Sequence, residues 1–102
     1  MDARYQKLAD LLTHYSLKLK RGEVVFIDAT DVPEGFCVEM LRAVRRAGAT
    51  PLIEMRQSRI TREILLGSDE THAKLVRDIE MFRMKKVDAY VALYERMISS
   101  AG

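Results

Sequence analysis

The chain has 102 residues, room for one domain with a single core and too few for two domains with a cleft between them. Hydrophobic residues make up 48% and charged residues 31%, which excludes a disordered tail, and no apolar run approaches the ~20 residues of a membrane span. The 17 Lys and Arg stand against 15 Asp and Glu with their signs interleaved, and a net charge of +2 is too balanced for a nucleic-acid-binding face.

Residues 3–15 place Tyr5, Leu8, Ala9, Leu12 and Tyr15 at spacings of three and four, the pattern of one helical face. Charges interrupt this stretch every turn, so no signal peptide is expected, and the single cysteine, Cys37, makes no internal disulfide; the expected compartment is the cytoplasm. Lys18, Lys20 and Arg21 form a solvated turn closed by Gly22. Residues 23–28 then read as a strand whose unbroken apolar run, 24–27, suits a parallel sheet covered on both faces. Asp31 is expected to cap the next helix, with Pro33 in the first turn and Glu34 at the capping-box position. Phe36, Cys37, Met40, Leu41, Val44 and Ala47 form its buried stripe, Arg45 and Arg46 suit its C-terminal dipole, and Gly48 ends it.

A second strand follows at 50–55, where Pro51 belongs at the start or on an edge. Ser58 is expected to cap a short helix carrying Ile60, Ile64 and Leu65 and ending at Gly67. Ser68 is expected to cap another, with Leu75, Val76, Ile79 and Phe82 turned to the core and Lys85 and Lys86 near its end. Residues 88–94 form the third strand, apolar on both faces like an interior strand, and the tail 95–102 has room for one helical turn. The order predicts an α/β fold: one small three-layer domain over residues 1–102, with a short parallel sheet of about three strands flanked by helices. Three strands leave two open edges and little area to cover the faces, as in part of a larger assembly.

Residue chemistry alone assigns no catalytic, cofactor-binding or metal-ligating residue. His14 and His72 fall on the polar sides of different helices, with no second ligand at metal-binding spacing. Cys37 lies in an apolar stripe and reads as a small buried hydrophobe. Asp28, Thr30, Asp31 and Glu34 cluster where the first strand meets the second helix, the usual ligand end of a parallel sheet. One glycine among three carboxylates is the wrong chemistry for a phosphate, however, and leaves structural roles or contact with a cation or amine. Glu54 reads as a solvated carboxylate near a strand end. Met40, Met55, Met81, Met84 and Met97 read as gap-filling core, and Tyr90 and Tyr94 as a shared packing face.

Three segments carry a resemblance: YSLKLKRGEVVFI (15–27), RAGATPLI (46–53) and KVDAYVAL (86–93). In this order and spacing the chain, over about residues 4–94, resembles the N-terminal domain of the aminopeptidase T/aminopeptidase S family of thermophilic metalloproteases. The first segment, a helix end followed by a Lys-x-Gly-Glu turn into a hydrophobic strand, is the most distinctive. The resemblance implies a cytoplasmic, homodimeric parent enzyme that removes N-terminal amino acids from peptides with two divalent ions such as zinc, cobalt or manganese. It also implies that the metal ligands belong to a C-terminal catalytic domain, so that this chain binds no cofactor and is inactive by itself. The peptide substrate and the missing domain are then partners of the parent; neither nucleic acid nor membrane is expected. The alternative is a free-standing α/β binding or interaction module without enzymatic activity, distinguished by a natural stop codon after Gly102.

Overall fold

A computed structural model describes residues 3–99. Helix α1 (Ala3–Leu11) runs into a π-helical turn over Leu12–Ser16, closed by Leu17 N donating to Leu12 O at 2.8 Å. The helix therefore stops short of the predicted 3–15. Tyr5, Leu8, Ala9 and Leu12 face the core as expected, Tyr15 is exposed, and the widened turn brings Thr13 fully inside.

The sheet is parallel throughout, in the order β2-β1-β3, with β1 (Val24–Thr30) at the centre, β2 (Thr50–Arg56) on one side and β3 (Ala89–Tyr94) on the other. The turns entering β1 and β2 are tied together by Gly22 N donating to Gly48 O at 2.9 Å. Gly48 has φ +79°, and a Cβ there would stand 3.2 Å from Arg21 Cγ and Cζ, so both backbone and space call for glycine.

Alternate strand residues share a face. Val25, Ile27 and Ala29 of β1, Ile53 of β2, and Val91 and Leu93 of β3 pack with α1 and α2 (Glu34–Arg46) into one core around Phe36, Met40 and Val44. Removing the Phe36 ring would cost about 3–5 kcal/mol, the usual range for a fully buried phenylalanine. The short helix α5 (Glu95–Ser99) closes this layer with Ile98; residues 100–102 of the predicted tail lie outside the described residues.

The opposite face carries Phe26, Asp28 and Thr30 with their register partners Leu52, Glu54 and Arg56 and, across the other ladder, Tyr90, Ala92 and Tyr94. Helices α3 (Ser58–Leu66) and α4 (Glu70–Lys86) belong to this side, and neither buries a single residue. The expectation that Leu75, Val76, Ile79 and Phe82 face the core is thus corrected. Arg83 stands between α4 and the sheet, its guanidinium 4.3 Å from the Phe26 ring centre, and that long polar spacer leaves the apolar stripe outside. The methionines follow suit: Met40 fills the core, whereas Met55, Met81, Met84 and Met97 are exposed.

Four local expectations also change. Ser58 does not cap α3: it is the first helical residue, and Gln57 holds the N-cap position without a side-chain hydrogen bond. Asp31 does not cap α2, whose N-cap position is taken by Pro33; it adopts φ +55° and turns its carboxylate toward Ser58 at the start of α3. Asp69 rather than Ser68 caps α4, accepting from His72 N at 2.8 Å. Among the described residues β3 pairs with β1 alone and is an edge, although its sequence reads as interior.

Candidate functional site

The carboxyl ends of β1 and β2 bring together the acidic residues that the sequence singled out, but with guanidinium groups among them. Asp28 and Glu54 are direct register partners on neighbouring strands, about 5 Å apart along the ladder, and would repel if left alone. Arg56, two residues past Glu54 on the same face, bridges them: Nε donates to Asp28 Oδ1 at 2.7 Å and Nη2 to Glu54 Oε2 at 2.5 Å. Arg83 of α4 donates to Glu54 Oε1 at 3.0 Å, and Tyr90 donates its hydroxyl to Asp28 Oδ2 at 3.2 Å while its ring lies 5.8 Å from that of Phe26. The hydrogen bond to Asp28 lifts the Arg56 pKa above its ordinary value, so the guanidinium stays charged. Burial, followed by the Asp28 charge, raises that of the Tyr90 phenol and keeps it a donor.

Asp31 is drawn away from this group. Its Oδ1 accepts from Ser58 N at 3.1 Å, and hydrogen bonds from Ser58 hold its carboxyl below the usual range. A carboxylate at the start of α3 satisfies an orphan donor there and faces the positive end of the helix dipole. Asp31 has no steric right to a left-handed conformation beyond what aspartate tolerates, and the interaction across the strand ends holds it there. Glu34 is exposed in the first turn of α2.

A cleft of about 590 Å³ opens beside this network, between the sheet, α3 and α4. Thr30, Thr61 and Tyr94 line it against Leu65 and Leu66, and its charged groups balance, Arg56 and Arg62 against Asp28 and Glu80, with Arg56 already paired to Asp28. Such a lining favours neither an anion nor a cation.

The other sequence candidates are scattered. His14 is exposed in the π-helical turn, and His72 lies on α4 with Nδ1 3.2 Å from Ser68 Oγ. Cys37 is buried on α2, and burial together with the Glu34 charge raises its thiol pKa, as for an inert core thiol. Lys18, Lys20 and Arg21 are exposed in their turn. Among the described residues no three Asp, Glu, His or Cys side chains form a group that could hold a metal. A divalent ion does not fit between Asp28 and Glu54, because Arg56 and Arg83 hold three of their four carboxylate oxygens with positive charge and Tyr90 donates to the fourth. Sequence reasoning missed these two arginines; the phase of Asp28, Glu54 and Arg56 on one face of a parallel pair was the signal available for Arg56. It also missed Glu39, buried in α2 with Oε1 3.1 Å from Arg42 Nη1.

No helix among the described residues is long and apolar enough to cross a membrane. No family model matches the chain, and no curated protein matches it either.

Proposed function

We propose that this chain is the N-terminal, non-catalytic α/β domain of a cytoplasmic, metal-dependent aminopeptidase, packed against a C-terminal catalytic domain and shaping access to its cleft. The observation that carries this reading is the open edge of β3. The strand AYVALY has neither a proline nor a charge to guard that edge, whereas β2 at the other edge carries Pro51, Glu54 and Arg56. Tyr90, Tyr94 and Met97 stand exposed on β3 and α5, which extends the apolar surface from the strand into the chain that follows it. An edge of that composition is suited to being covered. The resemblance of residues 15–27, 46–53 and 86–93 to the aminopeptidase T/S family supplies the identity of the covering domain. In this reading the two divalent ions and the peptide are held by that domain, and no step of the hydrolysis is assigned to residues of this chain.

The test is hydrolysis of an aminoacyl p-nitroanilide by the 102-residue chain and by the whole product of its gene, each with zinc, cobalt or manganese. Turnover by the whole product alone is expected. Turnover by the chain alone would overturn the non-catalytic role, and no turnover by either would overturn the enzyme context.

The cleft at the strand ends, with Arg62 and Glu80 on its wall, favours a second reading, a free-standing module that binds a small zwitterionic ligand there. That reading requires a saturable rise in the melting temperature of the isolated chain with free amino acids, lost in both Arg62→Ala and Glu80→Ala.

A further inference from the structure

The segment between β2 and β3 is fixed to the sheet at both ends. At its entry, Asp31 N donates to Arg56 O at 2.9 Å and Asp31 Oδ1 accepts from Ser58 N at 3.1 Å. At its exit, Asp88 N donates to Val24 O at 2.7 Å and Val24 N donates to Asp88 Oδ2 at 2.8 Å. Between these ends packing is thin. From Ser58 to Lys86 only Thr61, His72 and Arg83 are partly buried, and every other residue is exposed. Helices of 9 and 17 residues are marginal in water without tertiary packing. The radius of gyration, 14.8 Å against about 12.8 Å for a compact chain of this length, is that of a molecule with two helices standing off its core.

Arg83 makes the contact that holds α4 down. Its guanidinium lies 4.3 Å from the Phe26 ring centre and donates to Glu54 Oε1 at 3.0 Å, so one side chain grips the central strand and an edge strand together. Phe26 is buried although no residue of α3 or α4 is, and Arg83 and the Tyr90 ring are among the groups that cover it on this face. The strand-end cleft is divided along the same boundary: Asp28, Thr30 and Tyr94 belong to the sheet, whereas Thr61, Leu65 and Glu80 belong to the helices.

We propose that α3 and α4 form a strap that leaves the sheet as one unit, pinned at both ends and latched by Arg83, and that its release takes the strand-end cleft apart. A thinly packed segment with fixed ends opens far more readily than the whole domain unfolds. Access to the cleft is then set by the strap equilibrium, and a ligand that touches both walls favours the closed form because it binds that form alone. The latch combines one partly exposed ion pair with one ring contact, so salt loosens it without abolishing it. The proposal stands on burial and on the position of the ties; it depends neither on the aminopeptidase context nor on the identity of a ligand.

The test is amide hydrogen exchange of the 102-residue chain, followed residue by residue by NMR. The interior amides of α3 and α4 should exchange through one shared opening, about 100-fold or more faster than the amides of β1 after correction for intrinsic rates. In Arg83→Ala the strap should exchange about 10-fold faster again while β1 stays unchanged. Alanine is the better helix former of the two, so that rise cannot come from helix propensity. Sodium chloride at 0.5 M should also speed the strap in the native chain and have little effect in the variant. Strap amides as protected as those of β1, or a graded loss from the helix ends without a shared opening, would overturn the proposal in the native chain itself, whatever the variant does. Exchange that is unchanged in Arg83→Ala, or raised equally in β1, would overturn the assignment of Arg83 as the latch.

Discussion

Replacing Arg56 by methionine tests whether the strand-end cluster is an ion pair network or a pair of carboxylates held apart by chance. The substitution keeps an unbranched side chain of similar reach and removes the charge that bridges Asp28 and Glu54. At a separation of about 5 Å and an effective dielectric of about 20, the exposed repulsion is about 3 kcal/mol. Two facts reduce it. Glu54 is 44% exposed and therefore screened, and Arg83 still donates to its other oxygen. A net loss of about 1–1.5 kcal/mol at pH 7 is expected, a fall in melting temperature of roughly 4–10 °C for a domain of this size. The salt dependence is the discriminating part. The deficit of Arg56→Met is a repulsion between partly exposed carboxylates, so it should narrow in 0.5 M salt. Removing Arg83 as well should cost more than the two single losses added, because each arginine covers for the other at Glu54. Melting by circular dichroism at low and high salt decides it. A deficit that is absent, or that is the same at both salt concentrations, refutes the network.

Two further predictions concern single positions. Thr13 Oγ1 is buried without a hydrogen-bond partner, so Thr13→Val, nearly the same shape, should raise stability by about 1 kcal/mol in denaturant melts; a loss would show that the hydroxyl has a partner after all. Asp31→Ala should melt below Asp31→Gly although both lose the acceptor for Ser58, because only alanine is strained at φ +55°. The Asp31 carboxyl titrates below its ordinary range when folded, so its contribution is complete above the unfolded value and is lost as the pH falls through the folded one; proton NMR titration of the Ser58 amide should follow that loss.

Where the chain pairs with itself over short distances, its sequence is nearly sufficient to read the fold. The stripe on α2, the glycine at position 48 and the strand that follows are fixed by residues within one or two turns of each other, and all three stand where periodicity puts them. Asp31 shows how this reasoning fails. An acidic residue three positions before Glu34 has the pattern of a capping box, yet the donor it satisfies belongs to Ser58, 27 residues away, because β1 and β2 end side by side. The pattern identified a capping carboxylate and could not say which helix end it would reach. Arg56 is half legible for the same reason: its phase with Glu54 can be read along β2, but only the register that sets Asp28 opposite Glu54 gives it two partners.

The stripe on α4 extends this from a single contact to a whole face. Periodicity reports that Leu75, Ile79 and Phe82 share one side of a helix, and burial on folding was the natural inference. The 17 residues of α4 span about 25 Å, and β3 has only 6 residues, about 20 Å, to lay beneath them. Sheet area is short in the other direction too, since three strands nearly 5 Å apart offer about 10 Å of width for two helices. The face of the sheet below α4 is moreover polar where Asp28, Glu54, Arg56 and Arg83 meet, and an apolar stripe gains little by turning toward it. The stripe therefore points outward because the inward side is already committed to charge. An apolar stripe excluded from its own domain by an ion pair network stays exposed, and its periodicity reports that the segment is a helix without reporting which side the fold covers.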